Sequence, residues 1–412
     1  MRPPARGRRA VGGPPPELTT APAPRGGAGE LRSWSKERQR RARMREEGGS
    51  PNLRVAACGY WRRRGLPTET AQVVPARSAD LLLLALLAAT PDRVYVPAPG
   101  PVRHLAQALL LGRAPHRLPT PAECGGVPDP FALLEAVRRD RAAGLRPGVL
   151  LLSVVDDPTG TVPPPELLHE VCEAAAGEGL VIVSDESLRD TSHDPHATVI
   201  VSPAEILHPN GADAEDVVVL TDPRAAPLPG AEGAEGPGAA LARFPATARG
   251  EARAGAVRHV LDALDAHAGD ARAVARALEE PVELRAEAEA AARAAGRHTG
   301  ALSRAVAAAG GVCRPPQAGR HVYADLEPLR PQLAARGATD AATLEAALVV
   351  RLGTGVLGGH RFGDRPGALH VRLTAAAPAA PAPEHRDGHE ALARVEAALA
   401  DLTGHSSTGS RR

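Results

Sequence analysis

Residues 149–186 read VLLLSVVDDPTGTVPPPELLHEVCEAAAGEGLVIVSDE, and three signals within them set the fold. Val149-Leu150-Leu151-Leu152-Ser153-Val154-Val155 is a nearly unbroken apolar run, the pattern of a strand buried on both faces. Residues 165–177 then read as a helix that opens on proline and closes on glycine. Leu180-Val181-Ile182-Val183-Ser184 is a second apolar strand. Strand, helix, strand at this spacing predicts two parallel strands joined by a crossover helix.

The same alternation continues outward. Upstream, residues 54–65 read as a helix, 72–74 as a short strand, and Ser78 as the cap of a helix through the leucine run 81–89. A strand follows at 93–96, a helix at 101–111 ended by Gly112, and an amphipathic helix at 129–142. Downstream, 217–220 is a further strand. Past about residue 255 the texture changes to alanine-rich helices, 256–279 and 282–309, followed by strands at 319–326 and 369–374 and helices at 343–352 and 389–402. The predicted architecture is α/β. Residues 49–255 form a large domain with a mostly parallel sheet between helices. Residues 256–402 form interdomain helices and a smaller α+β domain. Residues 1–48, a basic Pro/Gly-rich leader, and the polar tail 403–412 are expected to be disordered.

Composition agrees. A chain of 412 residues is long enough for more than one core. Only 2% of it is aromatic, so its cores must be built from Ala, Val and Leu. The formal net charge is +1, yet residues 1–50 carry 12 Lys+Arg against 5 Asp+Glu, which leaves the remainder acidic. A basic leader can tether nucleic acid, but Pro14-Pro15-Pro16 and Ala21-Pro22-Ala23-Pro24 cannot build a DNA-binding domain. The leucine run is far short of the about 20 residues that span a bilayer. Cys58, Cys124, Cys172 and Cys313 share no metal-type spacing and read as buried hydrophobes of a reduced, soluble, cytoplasmic protein. His193 with His196 and His360 with His370 lack a third ligand at metal spacing. No Gly-x-Ser-x-Gly elbow supports serine catalysis.

Several motifs then fall in a recognisable order. Asp157-Pro158-Thr159-Gly160-Thr161 follows the first strand, and Ser184-Asp185-Glu186 ends the second. Residues 217–220 lead into Thr221-Asp222-Pro223-Arg224 and Pro229-Gly230. The glycine-rich Gly358-Gly359-His360-Arg361-Phe362-Gly363 precedes His370-Val371-Arg372-Leu373. Over roughly residues 50–400 this arrangement resembles the class I/II aminotransferases, fold type I enzymes that depend on pyridoxal phosphate. The resemblance implies that Asp185 pairs with the pyridine nitrogen, and that Asp157 stands where an Asn contacts the phenolic oxygen. It places Ser78 and Ala79 in the phosphate cup, Thr221 beside the cofactor, and Arg372 on the substrate carboxylate. It also implies a homodimer.

The chain departs from that pattern at several positions. The ring-stacking aromatic aligns with Pro101, the aromatic three residues after the key Asp is Leu188, Arg77 replaces a glycine, and Glu232 falls at a phosphate-binding arginine. Arg224 occupies the position of the lysine that forms the imine. The only lysine in the chain is Lys36, in the leader. An arginine stays protonated and does not form the imine. The expected function is therefore a degenerate aminotransferase without the covalent cofactor link, binding an amino acid, a phosphate-bearing ligand or a protein partner. One alternative is an active enzyme that holds pyridoxal phosphate non-covalently. Another is a regulator tethered to nucleic acid by the leader.

Overall fold

The computed structural model describes residues 50–90, 92–208, 216–223, 238–269, 271–374 and 386–403. Seven strands form the larger sheet: β1 (Val73–Ala76), β2 (Arg93–Ala98), β3 (His116–Pro119), β4 (Pro147–Ser153), β5 (Val181–Asp185), β6 (Val217–Thr221) and β7 (Ala240–Arg243). Their order is β1-β7-β6-β5-β4-β2-β3. The pairs β2/β3, β2/β4, β4/β5 and β5/β6 are parallel, and β7 runs antiparallel to both its neighbours. The fold is thus α/β with a mostly parallel sheet.

Alternation along the central strands explains why their sequences are apolar throughout. Leu150, Leu152, Ile182, Val217 and Val219 point into one core, which also takes Trp61, Leu133, Leu168 and Val274 from helices on that side. Val149, Leu151, Val183, Val218 and Leu220 point into a second core with Leu82, Leu86, Val257 and Leu261. Successive side chains face opposite ways, so a strand covered on both faces has no polar position to spare.

A four-stranded antiparallel sheet follows, with β8 (Val312–Cys313), β9 (His321–Asp325), β10 (Val356–Gly358) and β11 (His370–Thr374) in the order β10-β11-β9-β8. One face is core: Val322, Ala324, Val371 and Leu373 pack with Leu302, Leu344 and Leu399 of the helices Val282–Ala308, Ala341–Leu352 and Arg386–Thr403. The opposite face carries His321, Tyr323, Asp325, His370, Arg372 and Thr374, all half-buried.

Two sequence expectations need correction. Residues 256–279 are not one helix. They belong to Ala248–Ala263 and Arg272–Glu279, separated by a turn in which Asp265 has φ +47° and the Ala266 N–H bonds the Leu261 carbonyl at 2.9 Å. Aspartate tolerates the left-handed conformation, and alanine-rich sequence on both sides hides the break. The apolar run 149–155 also leaves the sheet at Ser153, and Val154 and Val155 pack with Ala318 in a separate small cluster.

Candidate functional site

The parallel strands deliver their carboxyl ends to one edge of the sheet, where open α/β sheets bind ligands. Register fixes the neighbours: Ser153 of β4 lies beside Asp185 of β5, and Asp185 beside Leu220 of β6. Thr221, one residue on, is buried.

Asp185 is 5% exposed and fully engaged. Arg103 donates from Nε at 2.9 Å and makes a second, shorter contact from its terminal nitrogen. His104 Nε2 lies at 3.1 Å from the same oxygen. The other carboxylate oxygen accepts from the Ser187 hydroxyl at 2.7 Å and the Ser187 N–H at 3.2 Å. Burial alone would push this carboxyl up, but Arg103 and His104 outweigh it and hold Asp185 well below the usual carboxylate range. Both residues come from the first turn of the helix Val102–Leu110, directly after the Pro99-Gly100-Pro101 turn. The Nδ1 of the buried His104 has no hydrogen-bond partner among the described residues.

A second ion pair joins the small sheet to the turn that follows β4. Arg372 of β11 contacts the Asp157 carboxylate, and its guanidinium carbon lies 5.0 Å from the centre of the Phe362 ring. Beside it, the Tyr323 hydroxyl donates to Asp364, which also binds His370 Nδ1 at 2.7 Å. Asp156, next to Asp157, is 3% exposed. Burial pushes its carboxyl up to about 7, and the charge of Asp157 adds to this. The hydroxyl and N–H of Thr159 act in the opposite direction.

Ser78 caps the helix Ala79–Ala89, its oxygen accepting the Leu81 N–H at 3.3 Å. Ala79 is buried behind it. Arg77 turns away to the Asp265 carbonyl, and Asp80 places an exposed acid in the first helical turn. Arg224 and Glu232 lie outside the described residues.

Residues 21–221 match the family model "Aminotransferase class I and II". Over those residues the chain is similar to this aminotransferase family.

The match ends at Thr221, just before Arg224. Over 142 residues the chain is 36% identical to the "Probable aspartate/prephenate aminotransferase" of Thermus aquaticus and 27% identical to the aspartate aminotransferase of Pyrococcus horikoshii. These alignments span 34% of the chain and 36% and 35% of the two relatives. Among solved structures, the aspartate aminotransferase from Thermus thermophilus with maleate superposes with a TM-score of 0.67 at 21% identity, covering 88% of this chain and 87% of that one. The aromatic aminotransferase from Pyrococcus horikoshii gives 0.68 at 16%, covering 91% and 92%. At these identities the solved structures establish the fold.

Ser78, Ala79, Asp157, Asp185, Thr221 and Arg372 all lie among the described residues, and two of them, Asp185 and Arg372, already hold internal partners. Asp185 would have to receive a pyridinium nitrogen, yet its carboxylate is held by Arg103, His104 and Ser187. Arg372 would have to receive a carboxylate, yet one of its terminal nitrogens is paired with Asp157, and its buried Nε has no partner among the described residues. An acid at the helix start, Asp80, disfavours a phosphate dianion there. As arranged, Asp185 and Arg372 already hold internal partners where the cofactor and its substrate would be expected. Sequence reasoning missed Arg103 and His104, the two residues that hold Asp185. Their one available signal was position: two cationic-capable side chains directly after a turn whose aromatic had already been lost.

Proposed function

We propose that this chain uses the aminotransferase fold for binding and does not carry out amino transfer through a covalent cofactor imine. The observation that carries the reading is the capture of Asp185 by Arg103 and His104. The sequence supports it, since the single lysine stands at position 36 and Arg224 occupies the imine-forming position. The Asp157–Arg372 pair supports it again. Changing the expected Asn to Asp supplies an internal carboxylate to the arginine that would clamp a substrate. The ligand class that the family resemblance suggests is an amino acid, bound by a homodimer. The basic leader is given no nucleic-acid role.

One observation favours the second reading, an active enzyme holding pyridoxal phosphate without a covalent link. Asp185 stays ionised, the state a pyridinium partner requires. Titration of the purified chain with pyridoxal phosphate separates the two. The expected result is no visible imine band, no adduct in residues 50–412 after borohydride treatment, and no calorimetric heat at submillimolar ligand. A trapped adduct within those residues would falsify the proposal. Submillimolar affinity that disappears in Asp185→Ala would establish the second reading.

A further inference from the structure

Beyond the paired residues at the sheet edge lies an open cleft of about 220 Å³ between the helix Val282–Ala308 and the polar face of the small sheet. Its helical wall is Ala288, Ala291, Ala292 and Ala295. Spacings of three and four residues put these methyl groups on one face. Leu188 adds to the apolar surface, at the position where the family resemblance leads one to expect an aromatic ring.

The polar wall is Arg320, His321 and Thr374, with Asp190 and Thr191 at one side. Pairing in the sheet sets His321 directly opposite Thr374, and the His321 Nδ1 lies 3.1 Å from the Thr374 hydroxyl. Burial, together with the neighbouring Arg372 and Arg320, lowers His321 to about 4, and Asp157 offsets only part of this. The imidazole is therefore neutral near pH 7.

Asp190 does not neutralise the cleft. One of its oxygens accepts from Arg64 at 2.9 Å and the other from the Tyr60 hydroxyl at 2.7 Å. Arg320 is half-buried and makes no hydrogen bond or ion pair among the described residues. A partly desolvated guanidinium without a partner favours an anion, above all a carboxylate that can take two of its N–H groups. The volume corresponds to about seven waters at about 30 Å³ each, below the about 300–1,000 Å³ of drug-sized pockets. The ligand must be small, with one charged end and one hydrocarbon end.

The geometry points to a binding site for a short branched aliphatic carboxylate in this cleft, its carboxylate on Arg320 and its hydrocarbon against the alanine face and Leu188. The site uses none of Arg103, Asp157, Asp185 or Arg372. It therefore stands or falls separately from the reading of the cofactor site, whose test is imine formation and dependence on Asp185.

Calorimetric titration of the full chain with 4-methylpentanoate tests it, with 4-methylpentanamide and acetate as controls. The expected Kd is below about 1 mM. The amide, which lacks the charge, and acetate, which lacks the hydrocarbon, should bind at least about tenfold more weakly. Arg320→Gln should weaken 4-methylpentanoate at least about tenfold by removing the charge. Ala295→Leu should do the same by filling the volume, and Ala291→Leu repeats that test should the first variant misfold, as judged by circular dichroism. No detectable binding of 4-methylpentanoate, binding unchanged in folded Arg320→Gln or in both folded leucine variants, or equal affinity for either control would overturn the assignment.

Discussion

Replacing Arg103 with methionine removes the guanidinium from Asp185 and keeps most of the side chain's bulk. The Asp185 carboxylate is 5% exposed, so it would be left buried with His104 and Ser187 as its remaining support. Breaking a fully buried ion pair costs about 3–5 kcal/mol. Arg103 is 29% exposed, so about 2–3 kcal/mol is the expected loss. That is roughly a 30- to 150-fold shift in the unfolding constant. Urea denaturation followed by far-ultraviolet circular dichroism reads it as a lowered midpoint at unchanged slope. The sign with pH is also fixed. Asp185 is depressed in the folded state, so its contribution is full above the unfolded carboxylate value of about 3.9 and is lost as the pH falls below it. Arg103→Met should therefore destabilise strongly at pH 7 and progressively less in acid. The Arg103→Met/Asp185→Asn double variant removes both charges and should recover at least about 1 kcal/mol relative to the sum of the single effects. Additivity within about 0.5 kcal/mol would refute the claim that the two side chains form a coupled pair.

Other outcomes follow from the same geometry. Asp156 is raised to about 7 in the fold, so its contribution to stability is present below about pH 4 and is lost as the pH rises to about 7. Asp156→Asn should remove that slope between the two pH values, and a wild-type curve parallel to that of the variant would contradict the burial argument. Asp157→Asn frees Arg372 from its internal carboxylate and should raise the affinity for succinate about tenfold by calorimetry. An unchanged affinity would mean that Arg372 is not the group released. Leu151→Ala in β4 opens a cavity in a fully buried position and should cost about 2–5 kcal/mol in the same denaturation assay.

The large sheet was legible because its central strands announce themselves. Residues 149–153, 181–185 and 217–221 are apolar at nearly every position, and only a strand covered on both faces needs that. The short strands β3, β7, β8 and β10 carry too few residues for a period to show, and the sequence reading passed over them. Asp185 and Arg372 were singled out in the sequence through the motifs around them. Arg103 was not, because nothing local says that a side chain in the first turn of the helix Val102–Leu110 reaches the end of a strand more than eighty positions away.

By itself, the sequence determined the layer architecture and the absence of lysine after position 36, since periodicity and composition are properties of the chain read in order. The tertiary structure alone decided which partners Asp185 and Arg372 hold. Charge pairing depends on distance in space, and Arg103 with Asp185, like Asp157 with Arg372, become neighbours only after the sheets and helices have packed. It is those two pairings, together with an Arg320 that has no partner among the described residues and faces a wall of alanine methyl groups, that set the charges of this sheet edge and of the open cleft beside it.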